Sequence, residues 1–212
     1  MAGAQRNTLT GSADLHLPEF ESPPDCPVAL LRSWLSTASE QEVREPAAMV
    51  LATTDTERQA WTRVVLAKNV DDRGIIFSTS GNSRKGAHIA ENPRAAATFY
   101  WRETLQQINV AGRIERLTDE DSDALFDERP VAAQATTAVS RQSETLEDAE
   151  SLRAQVARLT DAGEPLERPS WWGGFRLVPE TIEFWHGSPD RLHRRLQYER
   201  AGDGWRARRL QP

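Results

Sequence analysis

Ten residues, FSTSGNSRKG from Phe77 to Gly86, combine three features that suit an anion. A β-rich run ends in the hydroxyls of Ser78 and Thr79, a Gly-Asn turn follows, and Ser83, Arg84 and Lys85 stand where a helix would begin. Backbone N–H groups and the positive end of the helix dipole face an anion at such a start, and Arg84 and Lys85 add full charges. The spacing matches neither the GxxxxGKS/T of a phosphate loop nor the GxGxxG of a dinucleotide fold. A phosphate bound here is therefore held some other way. The same residues would also make an ordinary capped helix with two solvated cations, and the segment alone does not choose between the two.

A second candidate lies upstream, in Arg63-Val64-Val65-Leu66-Ala67-Lys68. Arg63 and Lys68 are an odd number of residues apart, so a regular strand points them to opposite faces. A cation in so apolar a run must reach solvent or an anion. Lys68 and Lys85 are the only lysines in an arginine-rich chain. A high-GC coding bias accounts for abundant arginine, but not for two surviving lysines, which makes both candidates for a role. Other chemistries find little support. Cys26 stands alone, which excludes an internal disulfide and a CxxC metal site. The histidines at 16, 88, 186 and 193 show no metal-ligand spacing, and no GxSxG elbow or Cys–His pair is present. No metal is expected.

The elements that would position these residues follow from periodicity. The first 26 residues, rich in Gly, Ser, Pro and Asp, read as a flexible arm. Pro27 opens a helix with Leu30, Leu31, Trp34 and Leu35 on one stripe. From Ala47 three strands, AAMVLATTD, AWTRVVLAKNV and GIIFSTS, joined by short polar turns, read as an antiparallel meander. That pairing would set Arg63 beside the STS strand. A short helix capped at Asn82 or Ser83 and stopped near Pro93 comes next. Then follow strands RAAATFYW and LQQINVAGRIERL, the latter with a bulge at Gly112. Helices are expected over 119–128 and 144–160, and β structure returns in FRLVPETIEFWHG, RLHRRLQYER and WRARRLQP. The expected fold is mainly β with peripheral helices, a small α+β barrel.

Bulk properties narrow the function. A net charge of −6 argues against nucleic-acid binding. No run of about 18 apolar residues could span a membrane, and the N-terminus lacks the apolar core of a secretory signal. The expected location is the cytoplasm.

Taken in order, R63VVLAK68, F77STSGNSRKG86, E91NPRAA, W101RETLQQINVAGRIERL, V139SRQS143, W172GGFRL, I182EFWHG and R191LHRRLQYER resemble the pyridoxamine/pyridoxine 5′-phosphate oxidases. The resemblance runs from about Pro27 to Pro212, so residues 27–212 would form one oxidase domain behind the arm of residues 1–26. It implies an FMN-binding split β-barrel and a homodimer with flavin in clefts between subunits. It also implies roles. Arg63, Lys85, Arg84, Ser83, Thr79 and Ser78 would hold the FMN phosphate and ribityl chain, with Ser78 where the family usually has Tyr. Val64, Val65, Leu66 and Ala67 would line the cofactor, and Lys68 would reach both flavin edge and substrate. Gln107 would bond the ring, and Gln142, Ser143, Trp185 and Arg195 would complete the pocket. Arg191 and His193 would lie over the substrate, beside Lys68 and Arg129. The reaction implied is hydride transfer to flavin and reoxidation by O2 to H2O2.

This chain departs from the vitamin oxidases in its substrate site. Where they use Tyr and Ser on the substrate phosphate, it has Leu125 and Ala133, and the N-terminal Arg-x-x-Tyr element is absent. The remaining cations suit a flat anionic aromatic. The pattern is most similar to the phenazine-biosynthesis branch of the family, which dehydrogenates reduced phenazine carboxylates toward phenazine-1-carboxylic and phenazine-1,6-dicarboxylic acid. Two other readings stand beside it: a vitamin B6 phosphate oxidase with a relaxed phosphate site, and a flavin-binding barrel without turnover.

Overall fold

The computed structural model describes residues 10–212. Residues 1–9 of the expected arm lie outside the described residues, but 10–26 are tied to the body. A 3-10 turn at Pro18–Phe20 leaves Phe20 only 2% exposed, and Glu19 accepts a hydrogen bond from Trp34 Nε1 at 2.5 Å. The Tyr198 hydroxyl donates to the Pro24 carbonyl. A single aromatic anchor carries no periodicity, so the sequence did not reveal it. Helix α1, Pro27–Glu40, buries Leu31, Trp34 and Ala38. Trp34 meets Phe184 edge to face, 5.0 Å between ring centroids.

The strands are β1 (Ala48–Thr54), β2 (Ala60–Leu66), β3 (Asn69–Asp71), β4 (Gly74–Ser80), β5 (Arg94–Trp101), β6 (Gln106–Arg116), β7 (Trp172–His186), β8 (Arg194–Ala201) and β9 (Gly204–Arg209). Their order is β2-β1-β5-β6-β7-β4-β3, with β8 on β7 and β9 on β8. The expected three-stranded meander holds in part: its middle run pairs with β1 through β2 and with β4 only through its end, β3, being broken at Ala67 and Lys68. β2 pairs with β1, while β4 pairs with β7 and with short β3. Only Ala67 and Lys68 separate β2 from β3, the two ends of that order, so the sheet curls into a barrel whose seam lies at these residues. At the seam Ala67 N–H donates to the Ala47 carbonyl and Lys68 N–H to the Ile76 carbonyl.

β7 gives the barrel its split form. Along one edge its first part, Trp172–Leu177, pairs with β4, and its last part, Thr181–His186, pairs with β8. Its other edge pairs with β6, where the register shifts between Ala111 and Gly112, so Glu180 of β7 is the extra residue. A Cβ at Gly112 would lie 2.0 Å from the Val178 carbonyl oxygen, which is why the bulge needs glycine. The interior is filled by Met49, Leu51, Ile75, Phe77, Phe99, Ile108, Leu177, Ile182, Phe184 and Leu196.

Helix α2 (Arg84–Glu91) follows β4, and α3 (Asp119–Asp127), α4 (Val131–Val139) and α5 (Ala149–Ala162) lie between β6 and β7. The expected helix over 144–160 begins five residues later because the Asp148 side chain caps it, accepting from the N–H groups of Glu150 and Ser151. Leu146 lies before that cap and is exposed.

Candidate cofactor and substrate site

β4 delivers Ser78, Thr79 and Ser80 to the mouth of the turn, and Ser83 starts α2. The Ser83 hydroxyl is fully buried and fully used. It donates to the Ser80 carbonyl at 2.7 Å and accepts from Gly86 N–H and Lys85 Nζ, both at 3.2 Å. Lys85 is folded inward, 8% exposed, with its second contact to Gln142 Oε1 at 3.1 Å. Burial, and then the nearby charge of Arg63, push the Lys85 ammonium down from 10.5 to about 8. The N–H of Arg84 donates to Ser143 Oγ at 3.2 Å, and its guanidinium lies 4.4 Å over the Trp61 ring.

Arg63 reaches the same region. One terminal nitrogen, Nη1, donates to the Leu51 carbonyl at 3.1 Å and to Thr53 Oγ1 at 2.8 Å. Burial and the charge of Arg84 lower its pKa. Among the described residues, Arg63, Arg84 and Lys85 make no ion pair with a carboxylate. Converging cations of this kind are costly unless an anion sits among them. These residues therefore fit a phosphate.

Beside them opens a cavity of about 420 Å³. Its wall holds Val64, Val65, Leu66 and Lys68 from the seam, Ser78, Thr79 and Ser80 from β4, and Lys85 and Gln142. Arg129, Thr136, Thr137, Ser140 and Trp172 complete it. Three cations and no carboxylate line this space. Arg129 is laid flat by its neighbours: its guanidinium is 4.9 Å from the Trp172 ring and donates to Thr137 Oγ1 at 2.6 Å. Burial lowers its pKa.

Several expected wall residues stand elsewhere. Ala67 turns toward the core. Leu125 packs toward Gly174 and Leu117, since a Cβ on Gly174 would meet a methyl of each at 2.7 Å. The Ala133 carbonyl accepts from Thr137 Oγ1. Neither Leu125 nor Ala133 lines the cavity, whose wall is hydroxyl-rich there. Thr53, Trp61, Thr136, Thr137, Ser140 and Trp172 were not anticipated. Trp61 left the one usable signal, an aromatic in a strand otherwise facing solvent.

Gln107, Trp185, Arg191, His193 and Arg195 form a separate group. Strand register sets Gln107 opposite Trp185 and Trp185 opposite Arg195. The Trp185 and His193 rings are 4.8 Å apart, and His193 Nδ1 accepts from the Ser188 N–H at 3.0 Å. Arg195 makes a two-point pair with Glu183 at 2.8 and 3.1 Å, and this holds its pKa up. Arg191 adopts a left-handed backbone, φ 69°. None of the five lines the cavity. Trp172 and Trp185 stand at opposite ends of β7, a contour of roughly 40 Å at about 3.3 Å per residue.

The sheet face that carries part of this second group exposes a cluster of apolar side chains at one side. Register aligns Val64, Val50, Thr98, Asn109 and Glu183, and beside them Tyr100, Gln107, Trp185 and Arg195. Val64 is 64% exposed, Leu66 51%, Tyr100 51% and Val50 42%, a patch suited to a second subunit.

Residues 35–162 match the pyridoxamine 5′-phosphate oxidase family, and residues 172–212 match the pyridoxine 5′-phosphate oxidase C-terminal dimerisation region. The chain belongs to the pyridoxamine 5′-phosphate oxidase family. It is thus an oxidoreductase of that family, an FMN-binding split β-barrel that forms a homodimer, and its dimerisation region carries Trp185, His193 and Arg195. Among relatives, the dihydrophenazinedicarboxylate synthase of Burkholderia lata is 45% identical over 97% of both chains. The Pseudomonas chlororaphis protein of the same name is 42% identical over 97% of this chain and 92% of its own. The pyridoxine/pyridoxamine 5′-phosphate oxidase of Thermosynechococcus vestitus is 43% identical over 88% and 89%. The crystal structure of Burkholderia lata PhzG in complex with tetrahydrophenazine-1-carboxylic acid superposes with a TM-score of 0.93, covering 95% of this chain and all of that one at 44% identity.

Proposed function

We propose that this chain is an FMN-dependent oxidase that dehydrogenates reduced phenazine carboxylates toward phenazine-1-carboxylic and phenazine-1,6-dicarboxylic acid, in sites shared between two subunits. The observation that carries this reading is the cavity wall, which holds Lys85, Lys68 and Arg129 and no carboxylate. Two anions fit such a wall, the cofactor phosphate by Lys85 and the substrate carboxylate by Arg129. The named synthases, and the solved relative with a tetrahydrophenazine carboxylic acid bound, support the phenazine substrate.

Bound there, FMN would supply the redox chemistry, accepting a hydride from substrate carbon and passing two electrons and two protons on to O2 as H2O2. The protein binds and orients. Arg63, Arg84 and Lys85 neutralise the phosphate, and Ser83 and Gln142 fix the Lys85 ammonium. Lys68, which lines the cavity at the seam, would reach the flavin edge and the substrate. Arg129, flat on Trp172, presents its N–H edge to a carboxylate. Gln107, Trp185, Arg191, His193 and Arg195 come from the second subunit and close the pocket. A substrate that becomes aromatic on oxidation asks little acid–base help, so positioning suffices.

The test is anaerobic mixing of the yellow enzyme with a reduced phenazine carboxylate, followed by admission of air. Flavin absorbance should bleach and then return with one H2O2 per hydride removed. Preferred turnover of pyridoxine 5′-phosphate would restore the vitamin reading, and no bleaching with either substrate would leave a flavin holder. FAD in the mass spectrum of the released cofactor would sink the cofactor assignment.

A further inference from the structure

We infer that Thr53 and His88 are positioning residues for the cofactor phosphate, acting through Arg63. This rests on the reading of the Arg63–Arg84–Lys85 cluster as the phosphate site. Thr53 is 2% exposed, and its Oγ1 stands 2.8 Å from Arg63 Nη1 and 3.1 Å from His88 Nδ1. A guanidinium nitrogen can only donate, so Thr53 accepts from Arg63. Thr53 Oγ1 keeps one proton and a second lone pair, so it pairs with His88 Nδ1 in either tautomer, donating to the bare nitrogen or accepting from Nδ1–H. In both cases the chain His88–Thr53–Arg63 holds the Thr53 oxygen against the guanidinium. It ties up Nη1 of Arg63, with the Leu51 carbonyl, and leaves Nε and Nη2 without a partner among the described residues.

His88 is placed to hold more than one arginine. It lies in the last turn of α2, whose first turn carries Arg84 and Lys85. Its ring is 6.4 Å from that of Trp61, the same ring on which the Arg84 guanidinium rests. Trp61 is itself pinned by a hydrogen bond from Nε1 to Asp55 Oδ2 at 3.0 Å. The β1–β2 hairpin therefore grips Arg63 through Thr53 and Arg84 through Trp61, and His88 locks that hairpin to the helix. Long arginine side chains lose much rotamer freedom on ordering. A frame that orders them before the phosphate arrives raises affinity for it.

The test compares FMN with riboflavin, which lacks the phosphate, in fluorescence titrations of the full-length protein stripped of flavin. Thr53→Val and His88→Leu should each reduce the preference for FMN by about tenfold, the effect of one hydrogen bond that orients a charged group. Riboflavin affinity should stay unchanged, while the thermal midpoint falls by the few degrees that one buried hydrogen bond is worth. Thr53→Ser and His88→Gln, which keep a hydroxyl and an acceptor, should restore the preference. If Thr53→Val does not fold, His88→Leu against His88→Gln decides. An unchanged preference, or an equal loss for both flavins, would overturn the inference. The phosphate reading is checked separately by the unmodified protein and Arg63→Ala. If both bind FMN and riboflavin alike, the phosphate lies elsewhere and both conclusions fall together.

Discussion

Lys85 illustrates what a buried cation costs when no anion faces it. Its ammonium titrates near 8 in the fold and near 10.5 unfolded. Between those values the unfolded chain keeps a proton that the folded one has released, so stability without cofactor rises with pH across that window. Phosphate binding has the opposite sign, because it selects the protonated form. FMN affinity should be full below about pH 8 and fall above it, by up to about tenfold per pH unit. The phosphate is already a dianion there, since its second pKa is about 6. Titrations across that range check this, and Lys85→Arg, which cannot lose its proton, should flatten the profile. Arg129 makes a second prediction at this scale. Arg129→Met should raise KM for the phenazine carboxylate by roughly ten- to a hundredfold, one charge-assisted contact, with kcat nearly unchanged. A fall in kcat with KM constant would place Arg129 on the reacting atoms instead.

Among the elements, β7 decides the architecture. It serves β4 with its first part and β8 with its last, and the extra residue at Glu180 bends it between them. The bend depends on Gly112, whose missing side chain lets the Val178 carbonyl approach. Gly112→Ala should destabilise the protein by about 1–3 kcal/mol, because backbone rather than a flexible side chain must move. Thermal unfolding of the flavin-free protein measures this, and an unchanged midpoint would show that the bulge relaxes freely. Helix α2 works differently. It is eight residues long, and its start is set by one hydroxyl, Ser83, that both caps the helix and holds Lys85. Ser83→Ala should cost about 1 kcal/mol of stability and weaken FMN binding in the same protein.

For the whole molecule, Trp172 of the cavity wall and Trp185 of the second group stand at opposite ends of β7, and the proposed site draws on two chains. Lys85→Ala and Trp185→Ala homodimers should each be inactive. Mixed by denaturing and refolding at equal amounts, they should regain activity in about a quarter of all sites, since half the dimers are mixed and each has one intact site. No recovery would mean that both residues serve one site from the same chain. Val64→Asp, on the exposed apolar face, should yield monomers in sedimentation together with loss of flavin.

The sequence by itself determined the local devices. Ser83 at a helix start, glycine at the bulge, the strand periodicities and the two lone lysines all act over a few residues, where spacing is geometry. It also carried the family resemblance, through motifs kept in order. The tertiary structure alone decided which strands meet. The short turns between β1, β2 and β4 suggested a meander, which holds on one edge of β4 through short β3, but β4 finds its longer partner in β7, nearly a hundred residues on, as the barrel closes at Lys68. Pairing over such distances is set by burial of both sheet faces, which no local pattern encodes. For the same reason Leu125 and Ala133, expected on the pocket wall, are turned from it, while Thr53, Trp61, Thr137 and Trp172 reach the site from four different elements or their ends. That Trp172, on the cavity wall, and Trp185, in the second group, stand at opposite ends of β7 is likewise decided by the fold.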